Sequence, residues 1–285
     1  MNQNKSRKAS TLASLKWFGW TDRGKVRPNN EDSFLGLRFD SREVHRLGKF
    51  GEASTEKMDS VFAVSDGMGG AMAGEYASRI TVEKITTLLP RSFQQSASGL
   101  NAGFADVLTE LFSQIHRTLV FIGDSYEECE EMQTTLSLCW FTPGWMYFGH
   151  VGDSRIYHLP KRKKEIKQLT QDDTHVGWLF RNGQINEREA RTHPRRNLLQ
   201  KALGGENQFI DPQVGAVAFE RGDIFFLCTD GLTEGLYDHQ LAEFLRESKT
   251  KGANIKIFNP AQRLVETSVG NDGRDNTTAL VIQVV

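Results

Sequence analysis

Three apolar runs in this chain each finish on an aspartate, and that recurrence limits the fold more than any other feature. Val61-Phe-Ala-Val-Ser leads into Asp66, Trp145-Met-Tyr-Phe-Gly-His-Val-Gly into Asp153, and Ile224-Phe-Phe-Leu-Cys-Thr into Asp230. Short runs rich in aromatic and β-branched residues, with glycine or another turn residue at their ends, read as buried strands. Near the C-terminus the order is reversed: Asp275-Asn276 precedes the apolar run Ala279-Leu-Val-Ile-Gln-Val-Val285. If that last strand runs antiparallel to its neighbour, its start lies beside the neighbour's finish. Four carboxylates then meet at one rim of a sheet.

One strand ending in Asp-Gly would mean only a turn, because that dipeptide favours turns anywhere. The repetition carries the inference. Clustered carboxylates repel, and an unpaired buried one is very costly. Hard divalent cations with oxygen ligands relieve that cost, so the pattern points to a multi-metal carboxylate site for Mg²⁺ or Mn²⁺. Gly67, Gly69 and Gly70 follow Asp66 directly. Such residues permit positive φ and close backbone approach, which suits a turn that crowds another group against the carboxylate.

A chain of 285 residues with few prolines and no internal linker fits one domain, expected over residues 17–285. The net charge of −1 argues against a general nucleic-acid or membrane binder. No apolar run approaches the roughly 20 residues needed to span a bilayer. Met1–Lys16 is polar and basic without the apolar stretch of a secretory signal, and a disordered tail is expected there. Cys129, Cys139 and Cys228 form no C-x-x-C pair, so free thiols in a reducing cytoplasm are expected.

Periodicity predicts a helix from Gly74 to Leu89, stopped by Pro90, and another over Phe104–Ile122 with an i, i+3, i+4, i+7 apolar face. The polar stretch Asp40–Asp59 reads as a surface loop. Strands are expected at Thr135–Phe141, Trp145–Val151, Arg155–Leu159 and Ile166–Leu169, with the basic run Lys161–Lys164 at a hairpin tip. Short helices fit His175–Asn182 and Glu187–Arg191, and longer ones Asp238–Ser248 and Pro260–Val269. Strands and helices without regular alternation argue for an α+β fold with antiparallel sheets. Nucleotide-binding motifs fail: Gly67-Met-Gly69-Gly-Ala-Met72 lacks a third glycine, and Glu75-Tyr76 stands where a P-loop needs Lys-Ser/Thr.

Arg27-x-x-Asn30-Glu31-Asp32, Asp66-Gly-Met-Gly-Gly70, Gly152-Asp-Ser-Arg155, Thr229-Asp-Gly-Leu232 and Asp275-Asn276-Thr277 occur in one order. Smaller matches are Thr134-Thr-Leu136, Leu169-Thr-Gln-Asp172 and Leu199-Gln-Lys-Ala-Leu-Gly204. The ordered set resembles metal-dependent protein phosphatases of the protein phosphatase 2C family, in their bacterial form, over about residues 17 to 285. The resemblance implies two packed antiparallel β-sheets flanked by α-helices, an α-β-β-α sandwich, with a metal site at one end. It implies hydrolysis of phosphoserine and phosphothreonine with two core Mn²⁺ or Mg²⁺ ions. By motif, Asp66 resembles the residue bridging two metals and Gly67 a backbone-carbonyl ligand. Asp230 and Asp275 resemble ligands of one metal, and Glu31 a ligand of the other, directly or through water. Asp32 orients bound waters, Asp153 resembles the ligand of a third, weaker metal, and Arg27 the phosphate-binding arginine. Asn30 and Asn276 are turn or supporting residues rather than ligands.

Met68 stands where some relatives have a histidine proposed as general acid, which leaves His150, His175 and His193 as candidates by residue type alone. Thr170–Leu203 corresponds to the family's flap beside the site. The implied partners are phosphorylated proteins, the targets of Ser/Thr kinases, met by a cytoplasmic monomer. Two other readings compete: a catalytically silent phosphoprotein-binding module of the same fold, and a two-metal nuclease. The near-neutral charge speaks against the nuclease.

Overall fold

The structure, a computed structural model, describes residues 13–70, 72–97, 103–205, 209–250 and 259–285. Its strands in chain order begin with β1 (Ser14–Asp22), β2 (Asp32–Phe39), β3 (Val44–Arg46), β4 (Phe50–Ser54) and β5 (Asp59–Met68). Then come β6 (Gln133–Thr134), β7 (Leu136–Thr142), β8 (Trp145–Val151), β9 (Arg155–Leu159) and β10 (Lys167–Gln168). The last four are β11 (Leu203–Gly204), β12 (Gln213–Ala218), β13 (Ile224–Cys228) and β14 (Thr277–Val284). Helices α1 (Ala73–Ala97) and α2 (Phe104–Ser125) follow β5, while α3 (His175–Arg181) and α4 (Glu187–Thr192) lie between β10 and β11. Helices α5 (Asp230–Gly235), α6 (Asp238–Thr250) and α7 (Pro260–Asn271) connect β13 to β14.

All pairings among the described residues are antiparallel, as the α+β expectation required. One sheet has the order β10-β9-β13-β14-β1-β4; the other runs β11-β6-β5-β7-β8-β12, with β2 and β3 attached beside β5. The long strands lie between two apolar layers, which explains their nearly unbroken apolar runs. In β5, Phe62 and Val64 enter the layer between the sheets while Val61 and Ala63 face α1 and α2. In β13, Phe225 and Leu227 face the opposite sheet while Ile224, Phe226 and Cys228 pack on α5, α6 and α7. Helix, sheet, sheet, helix is therefore the order of layers. No helix among the described residues is long and apolar enough to cross a membrane.

Several expectations are corrected. Strand β1 begins at Ser14, inside the stretch assigned to the tail, because Leu15 is buried between the sheets; residues 1–12 lie outside the described ones. Residues 40–59 are not simply a loop: β3 pairs with β2 and β4 with β1. Their exposed charges hid them, since edge strands carry polar residues on an open side. Helix α1 passes through Pro90 to Ala97. Proline removes one backbone hydrogen bond, and the buried neighbours Ile85 and Leu89 hold the helix on the sheet regardless. Strand β12 escaped notice because its side chains alternate between half-buried and exposed.

Asp59, at the start of β5, accepts a hydrogen bond from the Trp140 indole at 2.8 Å. Burial pushes its carboxyl up to about 6, and the indole bond offsets this only in part. A folded-state pKa above the unfolded one favours folding at low pH, and that contribution is lost as pH rises from about 4 through 6. Asp59→Asn keeps an acceptor for the indole without a charge. It is expected to raise stability by about 1–2 kcal/mol at pH 8, with almost no gain at pH 3.5, in paired urea titrations.

Candidate metal centre

Strand register brings the acidic residues together. Asp32 on β2 sits directly opposite Asp66 on β5, and like charges across a strand pair repel. Strands β13 and β14 pair Cys228 with Ala279, and Thr229 N donates to Thr278 O at 3.2 Å. Asp230 thus emerges at the sheet end from which Asp275 enters, as the antiparallel argument anticipated. Strand β1 pairs Asp22 with Thr277, which delivers the loop carrying Arg27 and Glu31 to the same end.

Backbone contacts lock these positions. Asp66 N donates to Thr135 Oγ1 at 3.0 Å, and its carbonyl accepts from Thr135 N at 2.9 Å and Thr134 Oγ1 at 2.7 Å. A Cβ on Gly67 would overlap the Gly74 carbonyl oxygen, so only glycine lets the first turn of α1 close on this strand. Gly69 takes φ +130°, and a Cβ there would collide with the Glu131 carbonyl oxygen. Asn276 accepts from Glu31 N at 2.8 Å and donates to the carbonyls of Arg23 and Asn29, tying the Arg27 loop to β14. Asn30 accepts from Asp32 N at 3.2 Å and donates to Thr21 Oγ1.

Electrostatics identify the rim as strained acidic ground. Burial, then Asp32, Asp230, Asp153 and Asp275, raise the Asp66 carboxyl well above the usual range. Asp230 is pushed up to about 7 by burial and then by Asp275 and Glu234. Burial also drives Asp32 to about 7, against the hydrogen bonds of Thr278 and Thr229, the latter at 2.8 Å. Burial and then Asp230 raise Asp153, and burial raises Glu31. One oxygen each of Asp32 and Asp230 is buried without a hydrogen-bond partner. Partnerless buried oxygens require an explanation, and a divalent cation fits this all-oxygen donor set. Among the described residues no three acidic, His or Cys side chains already close around one point. The carboxylates share a rim and one field rather than a finished cage.

Arg27 differs from its sequence reading in one respect: Nη2 donates to Asp275 Oδ2 at 2.7 Å, so two assigned site residues hold each other. Among the described residues Nε and Nη1 make no hydrogen bond. The histidine candidates fare unequally. His150 is wholly buried, Nδ1 against Ser137 and Nε2 against the Gly152 carbonyl, and burial pushes the pKa of its ring down. His175 stacks on Trp178, and His193 Nδ1 accepts from Arg195 N.

Beside Asp153 and Asp230 opens a cleft of about 590 Å³, bounded by β9, β10, α3, α4 and α5. Sequence reasoning missed the residues that hold its walls. Arg155 donates to Asp172 through Nε and Nη2, the latter at 2.7 Å. Asp173 accepts from Gly152 N at 3.0 Å and donates back to the Gly152 carbonyl, steadying the turn before Asp153. Glu234, at the end of α5, holds Arg196 at 3.1 Å and Arg274 at 3.7 Å. Arg191 caps the carbonyl of Leu236 at 2.7 Å and covers the Tyr237 ring. No spacing in the chain joins such distant partners.

Layers and rim define a class: an α-β-β-α sandwich with a carboxylate centre suited to divalent cations. Comparison with known proteins makes the assignment specific. The protein phosphatase 2C family profile matches residues 49–264, and the chain belongs to that family of phosphoprotein phosphatases. The serine/threonine phosphatase stp of Listeria monocytogenes is 29% identical over 264 residues, 92% of this chain and 93% of its own. PstP of Mycobacterium tuberculosis is 31% identical over 275 residues, 95% of this chain but 45% of PstP. The solved structure of PstP/Ppp from that organism superposes with a TM-score of 0.73 at 28% identity, over 95% of this chain and 98% of the other. A PstP catalytic domain in complex with two manganese ions gives 0.72 at 28% identity, over 96% and 100%.

Proposed function

We propose that this chain removes phosphate from phosphoserine and phosphothreonine in proteins, using two Mn²⁺ or Mg²⁺ ions held at the acidic rim. The observation that carries the reading is the cross-strand pair Asp32–Asp66 beside Asp230, with two buried carboxylate oxygens left without partners. Asp66, Asp230 and Asp275 would hold the ions, with the Gly67 carbonyl, and with Glu31 and Asp32 reached directly or through water. Asp153 would hold a third, weaker one. Such ions acidify a water and neutralise phosphoryl oxygens.

The chain's own groups do the rest. Arg27 is anchored at Nη2 by Asp275, leaving N–H groups on Nε and Nη1 to donate to phosphate oxygens from a guanidinium that keeps its charge. Asn276 and Asn30 fix the loop that presents Arg27 and Glu31. Thr134 and Thr135 fix Asp66, and Thr229 orients Asp32. Met68 carries no proton and His150 is engaged at both nitrogens, which leaves His175, His193 or a water to supply the proton to the departing hydroxyl. The reading includes a monomer that opposes Ser/Thr kinases in a reducing cytoplasm; the three free, buried cysteines support the reducing compartment alone.

Hydrolysis of a phosphothreonine peptide with and without Mn²⁺ tests the proposal. EDTA is expected to abolish turnover, and Asp230→Asn to lower kcat/KM by on the order of 10³-fold. Turnover surviving in EDTA would remove the metal mechanism. Tight phosphopeptide binding without turnover in Mn²⁺ would make the chain a silent binding module instead.

A further inference from the structure

We propose that the cleft beside Asp153 and Asp230 receives a second anionic group of the substrate, an acidic or phosphorylated residue flanking the one being dephosphorylated. The inference rests on the phosphatase reading and adds a substrate class to it.

Charge accounting within the cleft carries the argument. Six cationic and six acidic side chains line it, and two of the acids are the rim carboxylates Asp153 and Asp230. With those two committed to cations, the remaining walls hold two more positive than negative groups. The surplus can be named. Arg155 is taken by Asp172, Arg196 by Glu234, Arg274 by Asp272 at 2.8 Å with Glu234 at 3.7 Å, and Arg191 is 3.6 Å from Glu187. Asp238 accepts from the Tyr157 hydroxyl at 3.0 Å. Lys167 and Arg181 have no carboxylate partner among the described residues, and both are exposed.

Neither side chain hangs on a loose support. Arg181 closes α3, and its Nη1 donates to the Asp172 carbonyl at 2.9 Å, which holds the guanidinium at the wall while its other N–H groups stay available. Thr174 caps the start of the same helix by accepting from Gly177 N at 2.9 Å. Lys167 is fixed by pairing of β10 with His158 on β9. A cleft of about 590 Å³ is within the range that encloses an extended stretch of ligand. Two preplaced cations beside a phosphate-cleaving centre select a carboxylate or a second phosphate over a neutral side chain, and salt weakens that selection because both are solvent-exposed.

The test compares three phosphothreonine peptides of equal length in saturating Mn²⁺: one with neutral flanks, one with glutamate flanks, one with a flanking phosphoserine. The anionic peptides are expected to exceed the neutral one about tenfold in kcat/KM, mainly through KM. That ratio should fall to about two or less in Lys167→Gln/Arg181→Gln and in 0.5 M NaCl. In Lys167→Glu/Arg181→Glu it should drop below one. Because each ratio is taken within one variant, a general loss of activity does not mimic the result. Equal gains for both anionic peptides mean a charge-reading subsite, and a gain for phosphoserine alone means a phosphate-reading one. A ratio of one in the wild type, or a ratio retained in the double variant, overturns the inference. If wild type turns over none of the peptides, nor p-nitrophenyl phosphate, the phosphatase reading itself fails.

Discussion

Asp66→Asn is expected to lower phosphopeptide turnover by on the order of 10³-fold or more while making the metal-free protein more stable at pH 8. The two effects share one cause. Asp66 lies opposite Asp32 and within the fields of Asp230, Asp153 and Asp275, and burial together with these neighbours holds its carboxyl far above the normal range. The sign follows from linkage. With a folded-state pKa above the unfolded one, the metal-free fold gains stability from this group at low pH and loses it as pH rises through the folded value. Asparagine has no charge to bury, so the variant should gain about 1–3 kcal/mol at pH 8 and show a flatter stability profile between pH 5 and 8. Mn²⁺ should raise the Tm of wild type and leave that of the variant nearly unmoved, since ligands stabilise only a fold that binds them. Paired thermal melts in EDTA and in Mn²⁺ check all three expectations. A variant that is inactive but less stable than wild type in EDTA would refute the account of a self-repelling rim.

Arg155→Ala is expected to cost about 3 kcal/mol of stability, the lower end of what breaking a buried pair costs, because the pair reaches the cleft surface. Arg155 serves three partners: both oxygens of Asp172 and, at 3.0 Å, the Tyr157 hydroxyl, which itself donates to Asp238. Removing the guanidinium leaves Asp172 half-buried with Gln168 as its remaining side-chain donor, at 2.8 Å. Lysine restores the charge but not the two-pronged geometry, so Arg155→Lys should recover only part of the loss. Arg155→Ala/Asp172→Ala should be less destabilised than the two single losses combined, by at least about 1 kcal/mol in a double-mutant cycle. Additive losses would show that the pair contributes no mutual stabilisation. Asp173, the next residue, brackets Gly152 from both sides, so the same change should loosen the turn that presents Asp153.

Local chemistry was legible wherever burial was uniform. Strands β8 and β9 match their sequence bounds at Trp145–Val151 and Arg155–Leu159, and α2 follows its apolar period. Short amphipathic or charged pieces were not legible. Strands β3 and β4 lie in a charged stretch, and α5 occupies six residues that start after Thr229, where the periodicity marks no helix. Pro90 does not stop α1, since a lost backbone bond matters less than a helix face already packed on a sheet.

The amino-acid order alone determined that aspartates stand at the ends of buried apolar runs, and it pointed to a shared carboxylate rim suited to cations, because such aspartates can be satisfied in few other ways. Tertiary structure decided who holds whom: Arg27 on Asp275, Asp173 on Gly152, Glu234 on Arg196 and Arg274, and Lys167 and Arg181 left over in the cleft. The physical reason is separation along the chain. Apolar periodicity is a property of neighbours within a few residues, whereas these polar pairings join segments as far apart as 248 positions, brought together only by sheet register.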